Sequence, residues 1–154
     1  MSDQESPSVP AGMSLATVWE TVADTVPDAP ALAHGDLVRT WSELEQRSAR
    51  IAAHLDAAGV GHDAKVACYL YNGPEYLEAT FAAFKVRAVP INVNYRYLEA
   101  ELQYLLDNAD AEAVVFDAEF VERLDHVRSS LPGVRVWLCV GSDAEHPLPE
   151  WAED

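Results

Sequence analysis

Between residues 65 and 140, short apolar runs alternate with amphipathic stretches, and this alternation limits the possible folds more than any other feature. Strands that are nearly continuously apolar are typical of parallel sheets that helices cover on both faces. The pattern therefore predicts an α/β fold with a doubly wound, mostly parallel sheet and right-handed crossovers. Its four predicted strands occupy residues 65–71, 88–93, 113–116 and 134–140.

Three helices are predicted between these strands, because apolar residues recur there at helical spacing. We expect Asn72 and Glu75 to cap the first of them, and Asp117 to cap the third. The helices are predicted over residues 74–86, 98–109 and 117–131.

A helix and a short hairpin are predicted ahead of the sheet. Ser14 is a suitable N-cap for a helix that Pro27 ends. Residues 31–33 and 37–39 form two β-like runs that flank His-Gly-Asp, a sequence typical of a tight turn.

Thr40 and Glu43 match the capping box that opens a helix, and Gly59 is the expected end of that helix. Gly59, Gly61 and Ala64 also match the letters of the dinucleotide-binding fingerprint G-x-G-x-x-G/A. That fingerprint follows a strand and opens a helix, whereas these glycines close a helix and precede a strand. We therefore interpret them as a helix C-cap and turn.

Three regions are predicted along the chain. Residues 1–12 contain Ser, Pro and Gly but few large apolar residues, which predicts a disordered lead-in. Residues 13–140 hold all the predicted helices and strands of one α/β unit. Residues 141–154 are polar and proline-rich and include Trp151, so we expect a linker toward the remainder of a longer polypeptide.

Charge and cysteine usage exclude several functions. The net charge of −16 would repel phosphodiester backbones and anionic lipids, so neither nucleic acid nor a membrane surface is an expected partner. Apolar runs of about seven residues are too short to span a bilayer, which needs about 20. Cys68 and Cys139 lie in apolar runs without a CxxC motif, and no signal peptide is evident. These features predict a reduced, cytoplasmic protein.

The chain contains no pattern from which a catalytic, cofactor-binding or metal-binding residue would be predicted. Its histidines lack metal-ligand spacing, and no phosphate-binding P-loop occurs. Residues 92–97, Asn-Val-Asn-Tyr-Arg-Tyr, are the one polar and aromatic cluster that follows a predicted strand, at the end where α/β sheets bind ligands. They can form a structural turn or contact a ligand, and both interpretations remain open.

Several segments within residues 14–140 match, in order, the sequence patterns of one enzyme family. The matching residues are Thr40-Trp41-Ser42-Glu43-Leu44, Gly59-Val60, Asp63, Val66-Ala67, Asn72, Glu75, Phe84-Lys85, Asn94-Tyr95-Arg96, Glu101-Leu102 and Tyr104-Leu105-Leu106. The patterns that they match are Thr-Tyr-x-Glu-Leu, Gly-Val-x-x-Gly-Asp-x-Val-Ala, Asn-x-x-Glu, Lys-Ala-Gly-Ala followed by Pro, Asn and Arg, and Glu-Leu-x-Tyr-Leu-Leu. His62 and Arg87 stand where these patterns usually have glycine. Taken in order, the segments resemble the beginning of acyl-CoA synthetases of the adenylate-forming, AMP-binding enzyme family.

This resemblance implies an amino-terminal fragment of an enzyme that uses ATP, Mg and CoA to activate a carboxylic acid through an acyl-adenylate. The family's phosphate-binding and catalytic motifs are not found up to Asp154, so the fragment alone is expected to be inactive and to hold no cofactor. Residues 92–97 are similar to the version in enzymes that act on long-chain or bulky lipid acids, including steroid side-chain acids. The alternative is a free-standing α/β binding or regulatory module.

Two kinds of partner are expected for the chain. One is the remainder of its own polypeptide, which in the family packs against this region. The other is a second copy in a two-fold homodimer, because apolar residues on the helices would lose their cover in an isolated fragment. The residues expected to need partners are Phe81, Phe84, Leu102 and Leu106.

Overall fold

The protein, described over residues 13–154 by a computed structural model, begins with a helix and a hairpin, as predicted. Helix α1 spans Leu15–Thr25, and the Ser14 side chain accepts a hydrogen bond from the Thr17 backbone N–H at its start. Strands β1 (Pro30–His34) and β2 (Leu37–Thr40) pair antiparallel around a two-residue turn. The disordered lead-in predicted for residues 1–12 lies outside the described residues.

Helix α2 (Trp41–Ala57) opens with the predicted capping box. Thr40 Oγ1 accepts from the Glu43 N–H at 3.2 Å, and Glu43 Oε2 accepts from the Thr40 N–H at 2.8 Å. Gly59 follows the helix with φ +77°, a left-handed conformation that side chains other than glycine rarely adopt. The glycines after α2 therefore form a helix end and turn rather than a dinucleotide site.

Four parallel strands form one sheet in the order β4-β3-β5-β6. Helices α2 and α3 cover one face of this sheet, and α4 and α5 cover the other. This arrangement confirms the predicted doubly wound α/β fold. The remaining bounds are β3 (Lys65–Tyr69), α3 (Pro74–Lys85), β4 (Val89–Asn92), α4 (Glu99–Asn108), β5 (Ala111–Asp117), α5 (Val121–Val127) and β6 (Val136–Val140).

Alternate residues of the central strands enter two separate cores. Val66 and Cys68 of β3 pack toward α2 and α3, whereas Ala67 and Tyr69 pack toward α4 and α5. Burial raises the pKa of Cys68 to about 12, so this thiol is protonated at neutral pH. Cys139 is also buried, and burial raises its pKa to about 11. The two cysteines occupy the apolar positions that their sequence context predicted.

The structure corrects one predicted helix cap, one predicted helix start and the start of one predicted strand. Asn72 and Glu75 do not cap α3, because the helix begins at Pro74 and its N-cap is Gly73, which has no capping side chain. Asp117 does cap the next element, but its side chain accepts from the Glu119 N–H in a 3₁₀ turn that precedes α5. Strand β6 begins at Val136 rather than residue 134, because residues 131–134 form a turn.

Helix α1 attaches to the rest of the protein through aromatic and charged contacts. Trp19 stacks on Phe81 and meets the edge of Phe84. Lys85 donates hydrogen bonds to Glu20 of α1 and Glu45 of α2, so one ammonium group links three helices. Burial alone would lower the pKa of Lys85, but these two carboxylates raise it overall.

These contacts bury the apolar residues from which a dimer was predicted. Phe81, Leu102 and Leu106 are fully buried within the chain, and Phe84 is half-buried against Trp19. The expectation that the four residues need a second copy to cover them was wrong, because Trp19 of α1 packs on the two phenylalanines and the core beneath α4 and α5 contains the two leucines. Among the described residues, no helix is long and apolar enough to cross a membrane.

Arg87 has a backbone conformation that glycine adopts more readily than other residues. Its φ is +61°, so an arginine side chain occupies the left-handed region immediately after α3. The chain turns sharply there, with the Arg87 N–H donating to the Phe84 carbonyl at 3.0 Å. A non-glycine residue in this conformation costs about 1 to 2 kcal/mol, so glycine would be less strained than arginine at this position.

Candidate functional site at the carboxyl edge of the sheet

The carboxyl ends of the parallel strands meet at one edge of the sheet, and the strand order reverses between β3 and β5. Ligands of open α/β sheets bind at such a switch point. The structure brings Tyr71 after β3, Tyr95 after β4 and Phe120 after β5 together at this edge. The Tyr71 ring lies 5.2 Å from that of Tyr95 and 5.0 Å from that of Phe120, measured between centroids. The predicted cluster at residues 92–97 is thus part of a larger aromatic group.

The backbone of this cluster is a hydrogen-bonded turn. The Asn94 side chain accepts from the Arg96 N–H at 3.0 Å, and the Asn94 carbonyl accepts from the Tyr97 N–H at 2.9 Å. The side-chain bond is the pattern by which asparagine favours turns. Asn94 thus bonds the nearby backbone, as the structural interpretation predicted.

Arg123 of α5 donates hydrogen bonds to the backbone of the same turn. Its Nη1 donates to the Tyr69 hydroxyl at 2.9 Å and to the Tyr95 and Tyr97 carbonyls at 3.0 and 3.3 Å. Tyr69 in turn donates to the Tyr97 carbonyl at 2.8 Å. The hydrogen bond to Tyr69 raises the pKa of Arg123. Burial raises the pKa of Tyr69 despite the neighbouring guanidinium, so the hydroxyl stays a donor at neutral pH.

Tyr71, Tyr95 and Arg96 are among the exposed residues of this cluster. Arg96 lies over the Tyr95 ring, 5.5 Å from its centroid, and the Tyr71 hydroxyl donates to Glu119 at 3.1 Å. Desolvation, followed by the bond to Glu119, raises the pKa of Tyr71, so this phenol does not act as a base near neutral pH. Among the described residues, this edge offers aromatic surface and two cations, Arg96 and Arg123, each of which lies over an aromatic ring.

A cavity of about 580 Å³ opens beside this edge, between α2 and the carboxyl halves of β5 and β6. Arg47, Arg50 and His54 of α2 line one side of it. Glu78 of α3 lies at its base, only 2% exposed. Glu78 Oε1 accepts from Arg47 Nε at 2.6 Å and lies 3.1 Å from Arg39 Nε, so two guanidinium groups neutralise one buried carboxylate. The bond to Glu78 raises the pKa of Arg47.

No metal centre is found among residues 13–154, where no group of three or more His, Cys, Asp or Glu side chains could hold an ion. Three of the five histidines lie beside separate carboxylates. His54 Nε2 lies 3.1 Å from Glu153, His62 lies beside Asp63, and His126 Nδ1 lies 3.5 Å from Glu99. The sequence did not indicate a structural role for Arg123 or Glu78, because their partners are distant in the chain. The partners of Arg123 lie 26 to 54 positions away. Those of Glu78 lie 31 to 39 positions away.

Replacing Arg123 with methionine is expected to lower the free energy of unfolding by about 2 kcal/mol, because three acceptors lose a charged donor. The matched variant Tyr69→Phe removes one hydroxyl and should cost about 1 kcal/mol. Urea unfolding of the two variants measures the difference. An Arg123→Met variant as stable as the parent chain would show that the guanidinium does not hold the turn.

Comparison with known proteins gives three findings. Residues 19–154 match the model of a protein family described as AMP-binding enzyme. The chain is 39% identical over 136 residues to a medium/long-chain-fatty-acid–CoA/3-oxocholest-4-en-26-oate–CoA ligase of Mycobacterium marinum, covering 87% of the chain and 25% of the relative. It is 38% identical over 135 residues to a 3-oxocholest-4-en-26-oate–CoA ligase of Rhodococcus rhodochrous, covering 86% of the chain and 24% of the relative.

A solved structure shares the fold. The anthranilate CoA ligase AuaEII, crystallised in complex with anthranoyl-AMP, superposes with a TM-score of 0.85 at 18% identity. The superposition covers 95% of this chain and 27% of AuaEII. The chain thus spans about a quarter of the length of each of these three proteins.

Proposed function

Because the chain belongs to the AMP-binding enzyme family, we propose that it is the amino-terminal part of an ATP-dependent acyl-CoA ligase. The observation that carries this proposal is the 39% identity over 87% of the chain to one quarter of a CoA ligase. The remaining three quarters of such a ligase would be supplied by the remainder of the polypeptide, which is the proposed partner of this region. The proposed location is the cytoplasm, consistent with two buried cysteines that are not paired in a disulfide.

The proposed reaction has two steps. A carboxylate oxygen attacks the α-phosphate of ATP and displaces pyrophosphate, and the thiol of CoA then attacks the acyl carbon and displaces AMP. Both steps develop charge on phosphate oxygens, which Mg and positioned cations stabilise. ATP, Mg and CoA are assigned to the longer enzyme, and no step is assigned to a residue of this chain. The described residues contribute a rigid α/β unit that supports the rest.

The proposed substrate is a long-chain or bulky apolar carboxylic acid. Support comes from the names of the two relatives, which act on fatty acids and on 3-oxocholest-4-en-26-oate, and from residues 92–97. Turnover of the longer polypeptide on acetate, palmitate and a steroid side-chain acid tests this proposal. We expect at least a tenfold higher kcat/KM for one of the two large acids, equivalent to about 1.4 kcal/mol of transition-state binding. A preference for acetate would contradict the proposed substrate class while leaving the ligase assignment intact.

A further inference from the structure

Residues after the 141–150 loop return to the sheet and pair with the outer edge of β6. The Glu153 N–H donates to the Trp137 carbonyl at 2.9 Å, and the Cys139 N–H donates to the Glu153 carbonyl at 2.6 Å. These are two successive bonds of a parallel ladder, in which Glu153 lies opposite Leu138. Strand pairing therefore does not stop at β6.

Side chains hold this segment against the sheet. Trp151 stacks on Phe116 with centroids 5.6 Å apart, and it meets the edge of Trp137 at 5.7 Å. The guanidinium group of Arg128 lies over the Trp151 ring, 5.1 Å from its centroid. Ala152 is 9% exposed and belongs to the core that α4 and α5 share. Trp151 and Ala152 thus pack against the sheet, and the Glu153 backbone pairs with β6.

We propose that the segment beginning at Ala152 is a fifth parallel strand, and that the polypeptide following Asp154 docks on the outer edge of β6 by extending it. The proposal rests on the longer ligase of the proposed function. In a parallel ladder, every second residue of a strand bonds to the same neighbour. The next bond after those of Glu153 would therefore join the N–H of the residue after Asp154 to the Cys139 carbonyl. The occupant of this edge is therefore the protein's own continuing chain, not a second copy.

The direction of the proposed strand indicates where the residues that follow it lie. Because it runs parallel to β6, it leads to the carboxyl edge, where α/β sheets bind ligands. Asp154 already lies on the wall of the cavity lined by Arg47, Arg50 and His54. The loop that follows the strand is thereby placed over this cavity, beside the cations of α2.

Three variants of the 154-residue chain test the strand itself through hydrogen exchange at the Cys139 amide. Glu153→Pro removes the N–H that bonds to Trp137 and is expected to accelerate exchange at least about tenfold. Glu153→Gln keeps the backbone bond and removes only the charge beside His54, so exchange should stay within about twofold. Asp154→Pro should also leave the rate unchanged, because that N–H points away from β6. Equal rates in Glu153→Pro and the parent chain would overturn the proposal.

The longer polypeptide of the same gene tests the extension. The amide that follows Asp154 should exchange at least about a hundredfold more slowly than in an unfolded peptide. Ligase activity is measured on the same sample, so that the two proposals fail separately. An active ligase in which this amide exchanges at the unprotected rate overturns the strand extension. An inactive polypeptide with the amide protected overturns only the proposed function.

Discussion

Replacing Phe81 with alanine is expected to lower the free energy of unfolding by about 3 to 5 kcal/mol, the largest effect of any substitution considered. Phe81 is 3% exposed and joins three helices, because its ring contacts Trp19 of α1 and Trp41 of α2 from its place on α3. Truncation leaves a cavity where the ring was and removes the main contact of α1. Chemical denaturation followed by circular dichroism measures the loss.

Phe84→Ala is the matched control for Phe81→Ala. Phe84 lies on the same helix and touches the same tryptophan, but it is half-buried and meets Trp19 only at its edge. We expect this variant to lose about 1 to 2 kcal/mol, because less apolar surface returns to water. Equal losses in the two variants would contradict the assignment of Phe81 as the anchor of α1.

Replacing Glu78 with alanine is expected to cost about 2 to 3 kcal/mol. The substitution leaves Arg39 and Arg47 side by side without the carboxylate that both contact. Removing one partner of a fully buried ion pair costs about 3 to 5 kcal/mol. The expected loss is smaller here, because the two arginine side chains are 20% and 36% exposed and water can reach them.

Glu75→Ala provides the comparison for Glu78. It removes a carboxylate one turn earlier on α3, which is only partly buried and whose charge acts on Arg47 less than that of Glu78 does. We expect a change within about 0.5 kcal/mol, as for most surface substitutions. If Glu78→Ala unfolds at the same denaturant concentration as Glu75→Ala, the buried ion group contributes nothing to stability.

Local sequence patterns were sufficient to predict the fold. The capping box of Thr40 and Glu43 is complete within one turn of helix, and the structure contains it as predicted. The apolar runs identified all four parallel strands, because a strand buried on both faces has few polar positions. The prediction of a cap by Asn72 was wrong because Pro74 fits the first turn of a helix equally well, and the helix starts there without a side-chain cap.

Long-range contacts account for what the sequence did not reveal. Arg123 is 26 residues from Tyr97, whose carbonyl it binds, and nothing near Arg123 in the chain indicates that target. The same holds for Glu78, whose partners are contributed by β2 and α2. Trp151 is visible in the sequence as a large aromatic residue in a polar segment, but only the fold places Phe116 and Trp137 around it. Such contacts depend on topology, which single-residue patterns do not encode.

Carboxylate-dependent exchange between ATP and pyrophosphate tests most directly whether this chain is the amino-terminal part of an acyl-CoA ligase. The assay is applied to the purified 154-residue chain and to the longer polypeptide of the same gene, with palmitate and a steroid side-chain acid as substrates. We predict exchange by the longer polypeptide and none above the blank by the 154-residue chain, whose sequence contains no phosphate-binding loop. Exchange by the 154-residue chain alone, or a gene that ends after Asp154, would contradict the proposed function.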